Sequence, residues 1–282
     1  MLLNIVEALK YLLLGLIQGF TEVLPVSSSG HVEIVKNLIV IDFSNSLLFL
    51  ILVNTGSLVA FIWIYRRKLW YLIKGFIVFI FFPTKRKTYQ LAFWMVMKII
   101  VASIPAGLVG VIFNKQFNDL LEQYGLLIVG IGLLLTASVL YYITREEPFK
   151  SENEDLSWKD VTLIGVAQAF ALFPGVSRSG MTSSTAIKRG VSIHSALDFS
   201  FIMYIPVSIG STLLLIFQAI SNEEEVFASN QAINYILAFV GAVGATYIAY
   251  RLIFNIFKSG KLRYFSYYCL FMSVFAMIIY II

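Results

Sequence analysis

Charge is what this chain has least of. Of its 282 residues only 13% are Asp, Glu, Lys or Arg, about half the share of an average soluble protein, while 59% are hydrophobic. That balance excludes a soluble globular fold. A bilayer crossing takes roughly 20 mostly apolar residues, so a chain of this length holds at most about ten crossings and leaves no room for a separate soluble domain. We expect one integral membrane domain over residues 1–282. Cysteine is nearly missing as well: the single Cys269 excludes an intramolecular disulfide framework and a CxxC redox pair, and its apolar surroundings suit packing. A cleavable leader is not evident either. The first 24 residues are apolar but carry Glu7, Lys10, Gln18 and Glu22 with no small-residue cleavage site, and they read as mature protein. The net charge of +5 does not form a patch for nucleic acid, because the basic residues sit at the ends of apolar runs, where they act as topology signals.

What is present is helix-length apolar sequence, at about residues 2–24, 47–65, 91–113, 125–143, 161–173, 196–220, 233–257 and 264–282. Two further stretches do not fit a spanning helix. Residues 26–41 are short and contain His31, Glu33 and Lys36; residues 176–190 contain Arg178, Lys188 and Arg189. Each follows a proline, which cannot continue a helix ladder. We expect two hairpins of helix, break and helix that enter the membrane and turn back, since irregular backbone at that depth is tolerated where protein or a wet cavity surrounds it.

The two hairpins resemble each other. A shift of 150 residues aligns LGLIQGFTEVLPVSSSGH (residues 14–31) with IGVAQAFALFPGVSRSGM (residues 164–181) without a gap, and seven positions are identical, including Gln18/Gln168, Ser27/Ser177, Ser29/Ser179 and Gly30/Gly180. Three long apolar runs follow each hairpin. Three is odd, so the second copy must sit upside down relative to the first. The expected architecture is therefore all-α and polytopic, with six transmembrane helices plus two re-entrant hairpins in an inverted-topology repeat of about residues 1–143 and 157–282. The cationic connection at Arg66, Arg67, Lys68, Lys74, Lys85, Arg86 and Lys87, and that at Lys258, Lys261 and Arg263, should be cytoplasmic. Threading from there places Glu223, Glu224 and Glu225 and both termini outside; the mixed-charge stretch 144–160 is the weakest vote.

Chemistry belongs where polar groups are placed at a cost inside the membrane. Gln18 and Glu22 share a helix face leading to the break PVSSSGH, and the second break reads PGVSRSGMT, residues 174–182. A helix that begins after such a break offers unpaired N–H groups and a positive dipole end to an anion. Two such ends, with hydroxyls and the Arg178 guanidinium, make a receptor for phosphate. The serines suit helix caps and interhelical hydrogen bonds equally well.

QGFTEVLPVSSSGH resembles the Gln/Glu-x-x-x-Glu and Ser-Ser-x-Gly-His signature, and PGVSRSGMT the Pro-Gly-x-Ser-Arg-Ser-x-x-Thr signature, of the undecaprenyl-diphosphate phosphatase family, also called BacA or UppP. The resemblance runs the length of the chain and includes FSFIMYIP at residues 199–206. It implies a plasma-membrane hydrolase that removes the terminal phosphate of a C55 polyprenyl diphosphate, regenerates the carrier lipid for cell-wall polymers and confers bacitracin resistance. Gln18 stands where many members carry a glutamate, which weakens any role that needs a second carboxylate there.

Roles follow as expectations. Ser28 is the first choice of nucleophile and Ser27 the second, because a hydroxyl at a helix N-terminus can attack phosphorus while amides hold its oxygens. His31, one turn on, would take the serine proton or protonate the leaving group. Arg178 would clamp the phosphoryl oxygens. Glu22 would orient His31 or, with Gln18 and water, hold a divalent cation such as Mg²⁺. Ser27, Ser29, Ser177, Ser179 and Thr182 would complete the phosphate cradle. No Asp-rich magnesium motif of the prenyl-transferase type is present, so a cation would be held partly by the substrate. The expected partners are the polyprenyl diphosphate and the bilayer, with a homodimer left open. The competing class is a secondary transporter or flippase of an anionic lipid, which shares inverted repeats and broken helices but has no need of a serine beside a base.

Overall fold

The computed structural model describes residues 5–39, 46–145, 153–221, 231–258 and 262–282. Among these residues are nine α-helices and a short 3-10 turn: α1 (Ile5–Val23), α2 (Ser28–Ile39), α3 (Ser46–Phe81), the turn Pro83–Lys85, α4 (Arg86–Thr144), α5 (Trp158–Phe170), α6 (Arg178–Lys188), α7 (Ile193–Ser221), α8 (Ala232–Lys258) and α9 (Leu262–Ile281). Among the described residues five helices are long and apolar enough to cross a membrane, within Leu48–Phe81, Pro83–Thr144, Ile193–Phe217, Ala232–Ile253 and Leu262–Ile281. Their outward faces carry large apolar side chains, such as Leu91, Val111 and Ile281, more than 70% exposed. A helix that is apolar all round is stable with such a surface only when lipid covers it.

Two connections expected to be loops are helical. The cationic stretch 66–87 continues α3 to Phe81 and resumes in α4 at Arg86. Lys and Arg are good helix formers, and the extension packs on its successor through Phe76 and Phe79, whose rings lie 5.5 and 4.1 Å from that of Phe93. The stretch 114–124 likewise continues α4 as far as Gly125. There the backbone leaves helical geometry (φ 39°, ψ −114°), a conformation that glycine tolerates. A straight helix would separate Gly110 from Gly132 by about 33 Å. Yet Gly110 lies against Leu172, and Gly132 against Pro174 and Gly175. The chain therefore doubles back at Gly125, giving α4 two limbs, residues 86–124 and 126–144. The acidic Glu223, Glu224 and Glu225, together with Lys150 and Lys261, lie outside the described residues.

Small residues set the packing register. A Cβ built on Gly15 would lie 2.1 Å from the Ala238 carbonyl oxygen, and one on Gly19 would lie 2.3 Å from that of Ala242. Equal steps along both helices mean that α1 and α8 run parallel, backbone against backbone. In the second half, α5 and the first limb of α4 repeat the pattern: Gly165 abuts Ala102, and the rings of Trp158 and Trp94 are 5.8 Å apart. Helix α3 also runs parallel to α8, with Ser57 bonded to Thr246 and Tyr65 to Tyr250, whereas α9 on the second limb of α4 and α7 on α3 are antiparallel. Ser266 and Ser273 of α9 donate to the carbonyls of Ala137 and Gly130, and Tyr65 and Tyr204 link α3 to α7 through Asp198 and the Asn54 carbonyl.

This packing yields a stability prediction. Gly15→Ala forces its methyl into a carbonyl that cannot move without shifting α8, at about 3 kcal/mol. Gly244→Ala on the same partner helix meets open space. Thermal unfolding in detergent should show a clear fall in Tm for the first variant and none for the second.

Candidate active site

Two breaks bring the polar residues together. After α1 ends at Val23, Pro25 supplies no N–H donor, the Val26 N–H closes a tight turn onto the Leu24 carbonyl (2.8 Å), and Ser27 takes a left-handed φ of 68°. It is the one non-glycine residue with positive φ among those described. Such a conformation costs about 1–2 kcal/mol for an L-residue and here aims the chain back as α2. In the second break Gly175 supplies the turn at φ 83°, where the Val129 carbonyl leaves no space for a Cβ.

Both new helices are capped in the same way. The Ser27 hydroxyl accepts from the Gly30 N–H (3.3 Å) and the Ser177 hydroxyl from the Gly180 N–H (3.1 Å). The first-turn amides of Ser28, Ser29, Arg178 and Ser179 have no partner within their helices. Ser179 ties one break to the other by donating to the Leu24 carbonyl (2.9 Å), and the Ser177 N–H donates to Thr136 (2.9 Å). Residues 27–29 and 177–179 thus line one cavity of about 310 Å³, with Gln18, Glu22, Tyr204 and residues of α3 and α7.

Glu22 is the hub. Its carboxylate accepts from the Ser28 hydroxyl (2.6 Å) and the Gln18 amide (2.8 Å), and it forms an ion pair with the Arg178 guanidinium across 156 residues of sequence. Arg178 is sandwiched, its Cζ lying 3.9 Å from the centroid of the Tyr204 ring. An intramembrane carboxylate and guanidinium thereby offset each other's charge while leaving a hydroxyl, a base and a cation on one cavity wall.

Two expected members stand elsewhere. The His31 ring faces away from Ser28: Nδ1 is 2.7 Å from the Ser27 carbonyl oxygen and Nε2 is 2.7 Å from the Tyr268 hydroxyl of α9. A carbonyl only accepts, so Nδ1 carries the proton. The ring lines a separate apolar cavity with Phe20, Ile248 and Met272. Its link to the cavity is the Ser27 carbonyl, and the carboxylate beside Ser28 is that of Glu22. Three residues along a helix leave a 60° offset, and the short serine reaches α1 while the longer imidazole reaches α9. Thr182 also lies off the cavity. It donates to the Arg178 carbonyl (2.8 Å) and lies 2.5 Å from the Ser200 hydroxyl, so it secures the base of α6.

The donor set limits a cation. No cluster of three or more His, Cys, Asp or Glu side chains occurs among the described residues. Glu22 and Gln18 supply one carboxylate and one amide, which fits an ion that arrives coordinated by phosphates and water and does not form a resident cage.

The sequence model described as "Bacitracin resistance protein BacA" matches residues 11–275. The chain belongs to the BacA family. Proteins named undecaprenyl-diphosphatase are similar along nearly its whole length. One from Bacillus cereus is 40% identical over 272 residues, covering 96% of this chain and 97% of its own. Another from Oceanobacillus iheyensis is 39% identical, covering 98% of each chain, and one from Bacillus licheniformis is 37% identical, covering 93% and 94%. The BacA match takes in both breaks and also α3, α7 and α9, whose contributions sequence reasoning missed: Tyr204 under Arg178, Asn54 and Ser208 on the cavity wall, and Tyr268 on His31. Only Tyr204 had a signal, as a tyrosine inside the FSFIMYIP motif.

Proposed function

We propose that this chain is a membrane phosphatase that removes the terminal phosphate of undecaprenyl diphosphate and returns the monophosphate carrier lipid. The observation that carries this reading is the Ser28 hydroxyl held at 2.6 Å by Glu22, beside Arg178, where two helix N-termini meet. A carrier of intact lipid has no use for a hydroxyl paired with a base.

The terminal phosphoryl group occupies the space between the two N-termini, where free amides of both helices and Arg178 receive its oxygens. Arg178 turns from Glu22 to the phosphoryl group, which frees the carboxylate to accept a proton. The Ser28 oxygen attacks phosphorus, its proton passes to Glu22, and the anhydride P–O bond breaks, releasing the lipid monophosphate. Water then attacks the phosphoserine, Ser28 regains its proton and inorganic phosphate leaves. The charge that develops on the three phosphoryl oxygens is met by first-turn amides already in position and by Arg178 once it has turned, the main source of rate in phosphoryl transfer. A divalent cation, Mg²⁺ in our reading, would be held by Glu22, Gln18 and the diphosphate itself, where it neutralises phosphate charge. His31, bonded to the carbonyl of the strained Ser27, is a positioning residue in this scheme.

The membrane arrangement in this proposal is six spanning segments, α3, the two limbs of α4, α7, α8 and α9, with α1–α2 and α5–α6 as re-entrant hairpins. The parallel pairs α1/α8 and α5/α4 exchange partners between the halves of the chain, as an inverted repeat requires. The cationic ends support an orientation with both termini outside.

The test is phosphate release from undecaprenyl diphosphate by the purified protein in detergent, with and without chelator. We expect turnover that EDTA lowers at least about tenfold and that added Mg²⁺ restores. Specific lipid binding without phosphate release would reject the phosphatase reading in favour of transport.

A further inference from the structure

The cavity continues beyond the reacting groups along one face of α7. Tyr204, Ser208, Ser211 and Leu215 follow at helical spacing and all line it, opposite Asn54 and Leu50 of α3. Its wall therefore changes from a cation at the Arg178 end, through neutral polar groups one and two turns away, to apolar side chains about 16 Å from Tyr204. The middle section is neutral and polar. Ser208 is 2% exposed and its hydroxyl sits against the Tyr204 phenol. The Asn54 carbonyl accepts from the Tyr204 hydroxyl (3.3 Å), which anchors that residue at the wall. Ser211 is tied only to the Ser208 carbonyl (3.0 Å), a bond its hydroxyl can exchange for a ligand. A serine hydroxyl in the wall both donates and accepts, and a change of rotamer lets it meet a polar occupant of the cavity.

We infer that Asn54, Ser208 and Ser211 form a second subsite that holds the retained, lipid-linked phosphate, with the isoprenoid chain leaving past Leu50 and Leu215. The inference rests on the phosphatase reading and adds which wall receives which phosphate. The gradient along the cavity matches the substrate's own, from dianion through diester-like phosphate to hydrocarbon. Its charge distribution also suits turnover. Arg178 is the one cationic side chain among the described residues lining the cavity, and it faces the phosphate that is transferred. Neutral donors on the other phosphate orient the leaving group and still release it as product, whereas a second guanidinium would retain it.

Two product inhibitors separate the subsites: inorganic phosphate reads the Arg178 end and farnesyl monophosphate reads the α3–α7 wall. The assay is phosphate release from farnesyl diphosphate in detergent with Mg²⁺, with the parent measured first. Absence of release by the parent from both farnesyl and undecaprenyl diphosphate would reject the phosphatase reading itself, ahead of any statement about subsites. With an active parent, Ser208→Ala combined with Asn54→Ala should raise the inhibition constant for farnesyl monophosphate about tenfold, as expected for lost bonds to a charged group, and leave that for inorganic phosphate within about twofold. Ser211→Ala, at a half-buried position, should raise the first constant about threefold and serves where the double variant does not fold. Equal shifts for both inhibitors, or no shift for farnesyl monophosphate in a variant of parental Tm, would overturn the subsite.

Discussion

Ser28→Ala should abolish phosphate release while leaving lipid binding close to that of the parent. The serine contributes a nucleophile and little binding surface, so the loss belongs in kcat and should reach about 10³-fold or more, the scale seen when a nucleophile that works with a base is removed. Glu22→Gln probes the other half of the pair. It keeps the size of the side chain and an oxygen that can accept from Ser28, but it cannot take the proton and no longer pairs with Arg178. Its turnover should fall by a similar factor. The informative measurement is the double variant: if Ser28 and Glu22 act in one step, removing both should cost scarcely more than removing either. Additive losses would mean that the 2.6 Å hydrogen bond is structural and that the nucleophile lies elsewhere, with Ser27 the next candidate. Ser27 is the weaker choice because its hydroxyl already caps α2 and lies 3.5 Å from that of Ser29.

Much of this arrangement was legible in the sequence, because the repeat of residues 14–31 at 164–181 is a direct statement about backbone. Proline or glycine at the break, a serine cap and a glycine three residues later are local rules, and both copies obey them. The same alignment shows how the copies have diverged. Ser28 faces Arg178, Glu22 faces Leu172 and His31 faces Met181, so one break carries nucleophile and base and the other carries the cation. What spacing did not reveal was direction across helices. His31 shares a turn with Ser28, yet its partner is Tyr268, 237 residues away. Thr182 belongs to the motif, yet it bonds to Ser200. The length of α3 and the reversal at Gly125 escaped for another reason. Charged and polar residues mark the membrane boundary, but Lys, Arg and Gln do not end a helix, so runs read as loops by polarity are helical by propensity.

Arg178→Ala should reduce turnover by about 10³- to 10⁵-fold, the range in which an arginine stabilises charge developing on a transferred phosphoryl group. Two effects combine in that number. The phosphoryl oxygens lose a donor fork, and Glu22, 8% exposed at its side chain, loses its counter-charge. Guanidinium added to the assay separates chemistry from collapse: partial rescue in the millimolar range means that the pocket has kept its shape and lacks only the cation, whereas no rescue in a well-folded variant would place Arg178 outside the reaction. Arg178→Lys keeps the charge and gives up the planar fork, so it should still lose about 10²-fold. Tyr204 then becomes testable as a positioning residue, since it touches the guanidinium and leaves phosphorus to others. Tyr204→Phe retains the ring beneath Arg178 at the expense of one 3.3 Å bond to the Asn54 carbonyl and should stay within about threefold of the parent. Tyr204→Leu removes the π face and should lower kcat by about three- to thirtyfold with little change in KM. That split, rescued by Phe, is what a platform for the cation predicts, because a wall that merely filled space would accept leucine in place of tyrosine.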